Sequence, residues 1–115
     1  MVRETRPISW VTAARRNFEK FPNGAQQDIR RALTIAAEGQ KADTAKPMKG
    51  FGSGVFEIAL RYRSDAYRVV YTVQVADVLW VVHAFQKKSK TGIQTPKADN
   101  DLIRQRLKQL KEMMK

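Results

Sequence analysis

The chain contains no cysteine and only one histidine, His83. Without cysteine it cannot form a disulfide, a thiolate nucleophile or a zinc–thiolate centre, and a single histidine excludes a multi-histidine metal site. The N-terminal residues MVRETRPISW lack the apolar core of a signal peptide, and no run approaches the roughly 20 apolar residues of a membrane span. These absences predict a cytoplasmic protein that works without disulfides, metals or other cofactors.

Acidic residues are also scarce, since 11 Asp and Glu stand against 22 Lys and Arg for a net charge of +11. Such an excess indicates an anionic partner rather than a particular fold. The positive charge is uneven, because residues 86–115 carry nine Lys or Arg and only three Asp or Glu. An ordinary solvated surface is the alternative, but this concentration favours a nucleic-acid-binding surface.

The length of 115 residues and the hydrophobic content of 43% predict a single compact domain over residues 1–115. A short apolar segment at 7–11 can either add an edge strand or lead into a helix at 12–21. Asn23 is the expected N-cap of a second helix that ends at Gly39. The polar, glycine-rich stretch 40–54 has no periodicity and is predicted to be a loop.

Three strands are predicted next, at 55–63, 66–75 and 78–86. Their connections are too short for a parallel crossover, so the strands should form an antiparallel meander. After Pro96, Asp99 or Asn100 is the expected cap of a final helix with an apolar stripe at Leu102, Ile103, Leu107, Leu110 and Met114. The expected fold is therefore α+β, with two N-terminal helices and a C-terminal helix packed on a small twisted antiparallel sheet.

The segment HAFQKKSKTGIQTP, from His83 to Pro96, joins the end of the last strand to three lysines at 87, 88 and 90. A strand end holds these charges in one place beside the aromatic Phe85. Clustered cations next to an aromatic ring suit a phosphodiester backbone with stackable bases. This segment predicts that the protein acts on RNA.

Strand alternation places Arg61 on one face of its strand together with Glu57, while Arg68 points away from Tyr67 and Tyr71 on the next strand. The two arginines are thus expected on one face, where their guanidinium groups can bracket a phosphate. The alternative from spacing alone is a solvated face on which Glu57 pairs with one arginine.

Taken together, KPMKGFGSGVFEIALRY, YRVVYTV, HAFQKKSKTGIQTP and the basic C-terminal helix resemble the RelE/HigB superfamily of type II toxin–antitoxin toxins, in particular its phage-derived HigB-like branch. The resemblance implies a RelE-like fold and an endoribonuclease that cleaves messenger RNA, typically in the ribosomal A site. It also implies a co-encoded antitoxin as partner, which in this branch is usually a helix-turn-helix DNA-binding protein.

Carried over position by position, the resemblance gives the substrate-contacting positions Lys46, Lys49, Arg61, Arg68, Lys87, Lys88 and Lys90. The catalytic candidates are Lys49, Arg61, Arg68 and Lys87, with His83 added for its chemistry. The RNA-binding candidates are Lys46, Lys88 and Lys90, with Phe85 added as an aromatic ring. RelE-type members place a tyrosine near the C-terminus for base stacking, whereas no aromatic residue follows Phe85 here. His83 and Phe85 are therefore the nearest replacements for that ring.

These residue types suit metal-independent cleavage, in which the 2′-hydroxyl of the RNA attacks the adjacent phosphate. Neighbouring cations can lower the pKa of a lysine enough to make it a base, and arginines can stabilise the transition-state charge. His83 is the obvious acid or base, but its apolar strand favours a buried histidine with satisfied hydrogen bonds. Two other functions stay open: a ParE-like toxin that inhibits DNA gyrase, and a non-enzymatic nucleic-acid-binding module.

Overall fold

The computed structural model describes residues 5–87 and 95–114, in which helices cover both faces of one sheet. In chain order the elements are β1 (Ile8–Trp10), α1 (Thr12–Phe18), α2 (Asn23–Ala37), β2 (Ala45–Pro47), β3 (Val55–Tyr62), β4 (Asp65–Thr72), β5 (Leu79–Lys87) and α3 (Lys97–Met113). No helix in these two ranges is long and apolar enough to cross a membrane. The predicted α+β class is confirmed.

The five strands lie in the order β1-β5-β4-β3-β2. The predicted meander is confirmed, because β3 pairs antiparallel with β4, and β4 with β5. Arg63 and Ser64 form the tight turn between β3 and β4 with φ of 51° and 76°. Positive φ at both central residues is typical of the turn that matches the twist of a hairpin.

The two edge strands differ from the prediction of a purely antiparallel sheet. β1 is the expected N-terminal edge strand, but it runs parallel to β5, with Ile8 opposite Leu79. No short turn connects the two strands, so local sequence does not restrict their relative direction. β2 lies inside the predicted loop at 40–54 and pairs with β3. Its three residues are too few to show strand periodicity.

The helices also begin and end at slightly different residues than predicted. α1 ends at Phe18 rather than at residue 21. Asn23 is the first residue of α2 rather than its cap, and Pro22 precedes it. In the same way, Pro96 occupies the N-cap position of α3 in place of Asp99 or Asn100. Proline suits helix starts because its φ is already close to the helical value.

One face of the sheet, here called the apolar face, lies under α1 and α2 and carries Ile58, Val69, Tyr71 and Val81. All four residues are essentially inaccessible to solvent. α2 presents its own apolar stripe to this face, as the helical spacing predicts. Burial of this continuous apolar surface is the main contribution that the face makes to stability.

The opposite face, here called the mixed face, is only partly covered by α3. Ile103, Leu107 and Leu110 of α3 pack on an apolar patch that includes Val70 and Val82. Leu102 and Met114, which the predicted stripe included, are 38% and 44% exposed. The buried positions follow i, i+4 and i+7, so the stripe is narrower than predicted. Beyond α3 the face becomes polar, with Glu57 and Arg68.

A β-bulge in β5 decides which of its side chains reach the mixed face. Val70 of β4 lies opposite His83 and Tyr71 lies opposite Val81, so Val82 is an additional residue in β5. An extra residue reverses the alternation of side chains beyond it. His83, Phe85 and Lys87 consequently share the mixed face with Arg68.

Candidate functional site

A cleft of about 730 Å³ opens on the mixed face beside the N-terminal end of α3. It lies between β2 with its following turn, strands β3 and β4, and the start of α3. The polar and aromatic residues that line it are Lys46, Lys49, Phe51, Glu57, Arg68, Thr95 and Asn100. Three of the candidates from the sequence, Lys46, Lys49 and Arg68, are therefore brought together.

Arg68 and Glu57 form an ion pair at the floor of this cleft. Nη1 of Arg68 donates a hydrogen bond to Oε1 of Glu57 over 2.8 Å, and their side chains are 10% and 14% exposed. The hydroxyl of Thr95 donates to the other carboxylate oxygen, also over 2.8 Å. The alternative that Glu57 pairs with one arginine is correct, but the pair is nearly buried rather than solvated. Both of its charges are consequently held in fixed positions.

Two polar atoms of the cleft-lining residues are buried without a hydrogen-bond partner among the described residues, Nε of Arg68 and Oδ1 of Asn100. Leaving such a group unsatisfied costs free energy, more so when the group is charged. A guanidinium has five N–H donors, so Arg68 can bind an anion while Nη1 stays on Glu57. Within the described part of the chain, these two atoms therefore lack a hydrogen-bond partner.

Lys87 lies at the end of β5, opposite Ala66, on the face that carries Arg68. Burial lowers the pKa of Lys87, and the positive charge of Arg68 lowers it further, while Glu57 acts in the opposite direction. This is the direction that the sequence predicts for a lysine base, with burial as the larger cause. A lowered pKa increases the fraction of neutral amine available to accept a proton.

Arg61 shares the mixed face with Arg68, because Arg61 lies opposite Ala66 and Arg68 opposite Ala59. The two arginines are otherwise unlike. Arg68 is 8% exposed and forms an ion pair with Glu57. Arg61 is exposed and is not among the described residues that line the cleft. The strand register thus agrees with the expected shared face. Within the described residues, only Arg68 of the two is held in place at the cleft, by its ion pair with Glu57.

His83 is 3% exposed and connects β5 to α3. Its Nε2 lies 2.6 Å from Oδ1 of Asp99, and its Nδ1 lies 2.9 Å from Nη1 of Arg106. Burial is the main cause that lowers the pKa of His83, with Arg106 adding to the effect and Asp99 opposing it. The neutral ring fits both contacts, with Nε2–H donating to Asp99 and Nδ1 accepting from Arg106. These contacts fit a histidine with satisfied hydrogen bonds.

Phe85 is half-buried and stacks on His83, with ring centroids 5.1 Å apart and planes inclined by 26°. One side of its ring is therefore already in use. Lys46 lies opposite Glu57 in the register, and both Lys46 and Lys49 are exposed. Lys88 and Lys90, the remaining candidates, lie outside the described residues.

The sequence did not identify Thr95 or Asn100 as residues of the site, since Asn100 was expected only as a helix cap, and it gave Glu57 only as a pairing partner. Thr95 and Glu57 are 38 residues apart, and Asn100 is polar in a helix where many polar residues face solvent. The alternation of side chains along β3 placed Glu57 on the mixed face, and this was the only sequence signal for its role in the site. The contact with Thr95 has no local sequence signature.

Residues 16–108 match the family model for phage derived protein Gp49-like (DUF891). The chain belongs to this family. The predicted membership of the RelE/HigB toxin superfamily, in its phage-derived branch, is thereby confirmed. A comparison with curated protein sequences gave no significant match.

Three solved structures of other proteins have a fold similar to that of this Gp49-like chain. A mutant of the E. coli toxin RelE in the free state is 15% identical, with a TM-score of 0.64 over 93% of this chain and 99% of that chain. The isolated E. coli RelE toxin is 14% identical, with a TM-score of 0.57 over 87% and 97%. The toxin–antitoxin complex RelBE2 from Mycobacterium tuberculosis is 16% identical, with a TM-score of 0.51 over 74% of this chain and 94% of that chain. The predicted RelE-like fold is confirmed.

Proposed function

We propose that this Gp49-like chain is the toxin of a type II toxin–antitoxin module, and that it is an endoribonuclease that cleaves messenger RNA on the ribosome. The observation that carries the proposal is Arg68, which Glu57 holds at the floor of a cleft lined by Lys46 and Lys49, and whose Nε has no hydrogen-bond partner among the described residues. A guanidinium that is held in place beside two lysines suits a phosphodiester group.

In the proposed reaction the 2′-oxygen of the RNA forms a bond to phosphorus while the bond from phosphorus to the 5′-oxygen breaks. The products are a 2′,3′-cyclic phosphate and a 5′-hydroxyl end. Neutral Lys87 accepts the proton of the 2′-hydroxyl, because its pKa is already lowered. The ammonium group of Lys46 or Lys49 donates the proton that the leaving 5′-oxygen needs.

Arg68 stabilises the extra negative charge that the phosphate gains in the transition state. Its ion pair with Glu57 holds it in place beforehand, so little reorganisation is required when the substrate arrives. Exposed Arg61 extends the positive surface along the RNA backbone, and Lys88 and Lys90, which lie outside the described residues, are assigned to RNA binding by their charge. His83 is assigned to positioning, because both of its ring nitrogens hold α3 in place. Phe85 supports that ring from the side.

The proposed partners follow from the charge of +11 and from the toxin fold. A positive protein attracts the ribosome and its messenger RNA in the cytoplasm, and an acidic antitoxin is the matching inhibitor. The RelBE2 structure is itself a toxin–antitoxin complex. We extend that pairing to this chain, with a helix-turn-helix DNA-binding protein as the antitoxin.

The test is to add purified protein to translating ribosomes and to map the ends of the messenger RNA. Wild-type protein should generate new 5′-hydroxyl ends. Lys87→Arg keeps the positive charge but cannot supply a neutral amine near neutral pH, so the cleavage rate should fall about 100-fold or more, as for loss of a general base. Arg31→Gln, an exposed change on α2, should cleave like the wild type.

The pH dependence gives a second readout of the same experiment. Because deprotonated Lys87 is the proposed active form, the wild-type rate should rise with pH and level off above its lowered pKa.

Intact messenger RNA together with growth arrest would instead favour inhibition of gyrase. RNA binding without cleavage would favour the non-enzymatic module.

A further inference from the structure

A second groove, of about 550 Å³, adjoins the cleft and runs along α3. The residues that line it are Gly50, Phe51, Arg104, Leu107, Lys108, Lys111 and Glu112. Phe51 lines both the groove and the cleft, so the two depressions meet at this ring. A chain that passes through the cleft therefore reaches Phe51 as it enters the groove.

Arg104 and Phe51 form a stacked pair at that junction. The guanidinium carbon of Arg104 lies 4.3 Å from the centroid of the Phe51 ring, and its Nη1 donates a 2.9 Å hydrogen bond to the carbonyl of Gly50. Gly50 and Gly52 both have φ of 86°, a conformation that glycine adopts without strain. Phe51 is half-buried against the apolar patch under α3, whereas Arg104 is exposed. The pair is thus anchored on one side and open on the other.

The groove is suited to a flat ligand with negative charges rather than to an apolar anchor. Its aliphatic lining residue, Leu107, is only 5% exposed, whereas a protein partner needs apolar side chains to bury. The planar guanidinium of Arg104 lies over the Phe51 ring, and Arg104 is an exposed residue. Unpaired RNA bases stack on aromatic rings and on guanidinium planes.

We propose that Phe51 and Arg104 form a stacking platform for an unpaired RNA base next to the cleaved phosphate. Lys108 and Lys111 lie one and two turns beyond Arg104 on the same side of α3, at i+4 and i+7. A step of four residues advances roughly 6 Å along a helix, so these lysines can follow the phosphates of the chain. Glu112 is the one acidic residue among those that line the groove. This inference rests on the proposed function and adds a substrate subsite to it.

The platform also addresses the absence of an aromatic residue after Phe85. Phe85 is already stacked on the buried His83, whereas the Phe51–Arg104 pair has an exposed outer face. The proposed stacking group thus comes from the turn between β2 and β3 instead of from the C-terminal segment.

The test uses a short RNA in which 2-aminopurine replaces one base at a time and 2′-O-methyl groups block cleavage. The RNA is measured both free and as the messenger in programmed ribosomes. Wild-type protein should quench the fluorescence at one position beside the cleaved phosphate. Phe51→Leu should abolish that quenching and weaken RNA binding about tenfold, which is within the range of base–aromatic stacking.

Arg104→Lys should reproduce the loss of quenching, because it keeps the charge but removes the planar group. The matched control is Phe56→Leu, which changes another half-buried phenylalanine whose ring stacks on Tyr71, 5.3 Å away. The control should bind and quench like the wild type. Circular dichroism of all three variants checks that the fold is intact.

The outcomes separate this inference from the proposed function. If the wild type cleaves messenger RNA but Phe51→Leu binds and quenches normally, the platform is wrong and the nuclease proposal stands. If the wild type neither binds nor cleaves RNA on ribosomes, both are wrong. If Phe51→Leu loses binding to a co-expressed neighbouring protein but not to RNA, the groove is a protein interface and the platform is again wrong.

Discussion

The two faces of the sheet use the same strands for different purposes. The apolar face buries residues such as Val69 and Tyr71 under α1 and α2. The mixed face combines a smaller apolar patch under α3 with a nearly buried ion pair, Arg68–Glu57, and a buried histidine. Burying a charge costs free energy of folding. A protein that buries charges on one face of its sheet therefore depends on apolar burial at the other face to offset that cost.

The difference indicates how stability and chemistry are divided in this fold. Side chains alternate along a strand, so each residue of β4 belongs either to the apolar face or to the mixed face. Val69 can therefore add to the core while its neighbour Arg68 stays available at the cleft. Mutations on the two faces should consequently affect different measured quantities.

The largest expected effect is that of Arg68→Met on the mixed face. The change leaves Glu57 buried without its cation, and removal of one partner from a buried ion pair costs about 3–5 kcal/mol of unfolding free energy. Cleavage should also fall by at least about 100-fold, since the proposed main source of transition-state stabilisation is lost. Urea denaturation and mapped messenger RNA ends measure the two effects.

The double variant Glu57→Gln/Arg68→Met separates those two effects. A neutral glutamine can still accept from Thr95, so most of the lost stability should return. Cleavage should not return, because no cation is restored to the floor of the cleft. Recovery of cleavage in the double variant would contradict the role assigned to Arg68.

The next largest effect is expected on the apolar face, for Leu33→Ala in α2. Leu33 is 1% exposed, and truncation of a buried leucine typically costs about 2–5 kcal/mol. The cleavage rate per folded molecule should stay at the wild-type value, because Leu33 lies on the side of the sheet away from the cleft. A large fall in that rate under conditions where the variant is folded would contradict the division between the faces.

The smallest effect is a pH dependence of stability that comes from His83. Its pKa is lowered in the folded protein from 6.5, so the unfolded chain binds the proton more readily. Its contribution is present above pH 6.5 and is lost as the pH falls through the lowered pKa. The unfolding free energy should therefore decrease from pH 7 to pH 5, and it should decrease less in His83→Gln. Equal decreases would assign the dependence to other groups.

Much of the fold could be predicted from local patterns in the sequence. Apolar spacing located the three helices, and the short connection after Tyr62 required an antiparallel hairpin. Alternation in β3 and β4 placed Arg61 and Arg68 on one face. The direction of β1 could not be predicted in this way, because its partner strand is distant in the chain.

The candidate site was predictable in its residue types but not in its contacts. A basic segment next to an aromatic residue indicated RNA, and strand alternation singled out Arg68. The hydrogen bond from Thr95 to Glu57 and the stacking of Arg104 on Phe51 join residues that are far apart in sequence. Such pairs depend on how α3 docks on the sheet, which no local pattern specifies.

The charge, the amphipathic helices and the meander follow from the sequence alone, because composition, periodicity and turn length need no tertiary contact. The tertiary structure decided the environment of His83, Phe85 and Lys87, because one additional residue at Val82 reverses the alternation of β5. It also decided that Arg68 is paired and nearly buried rather than solvated. Both outcomes depend on packing between distant segments, where a shift of one residue moves a side chain to the other face.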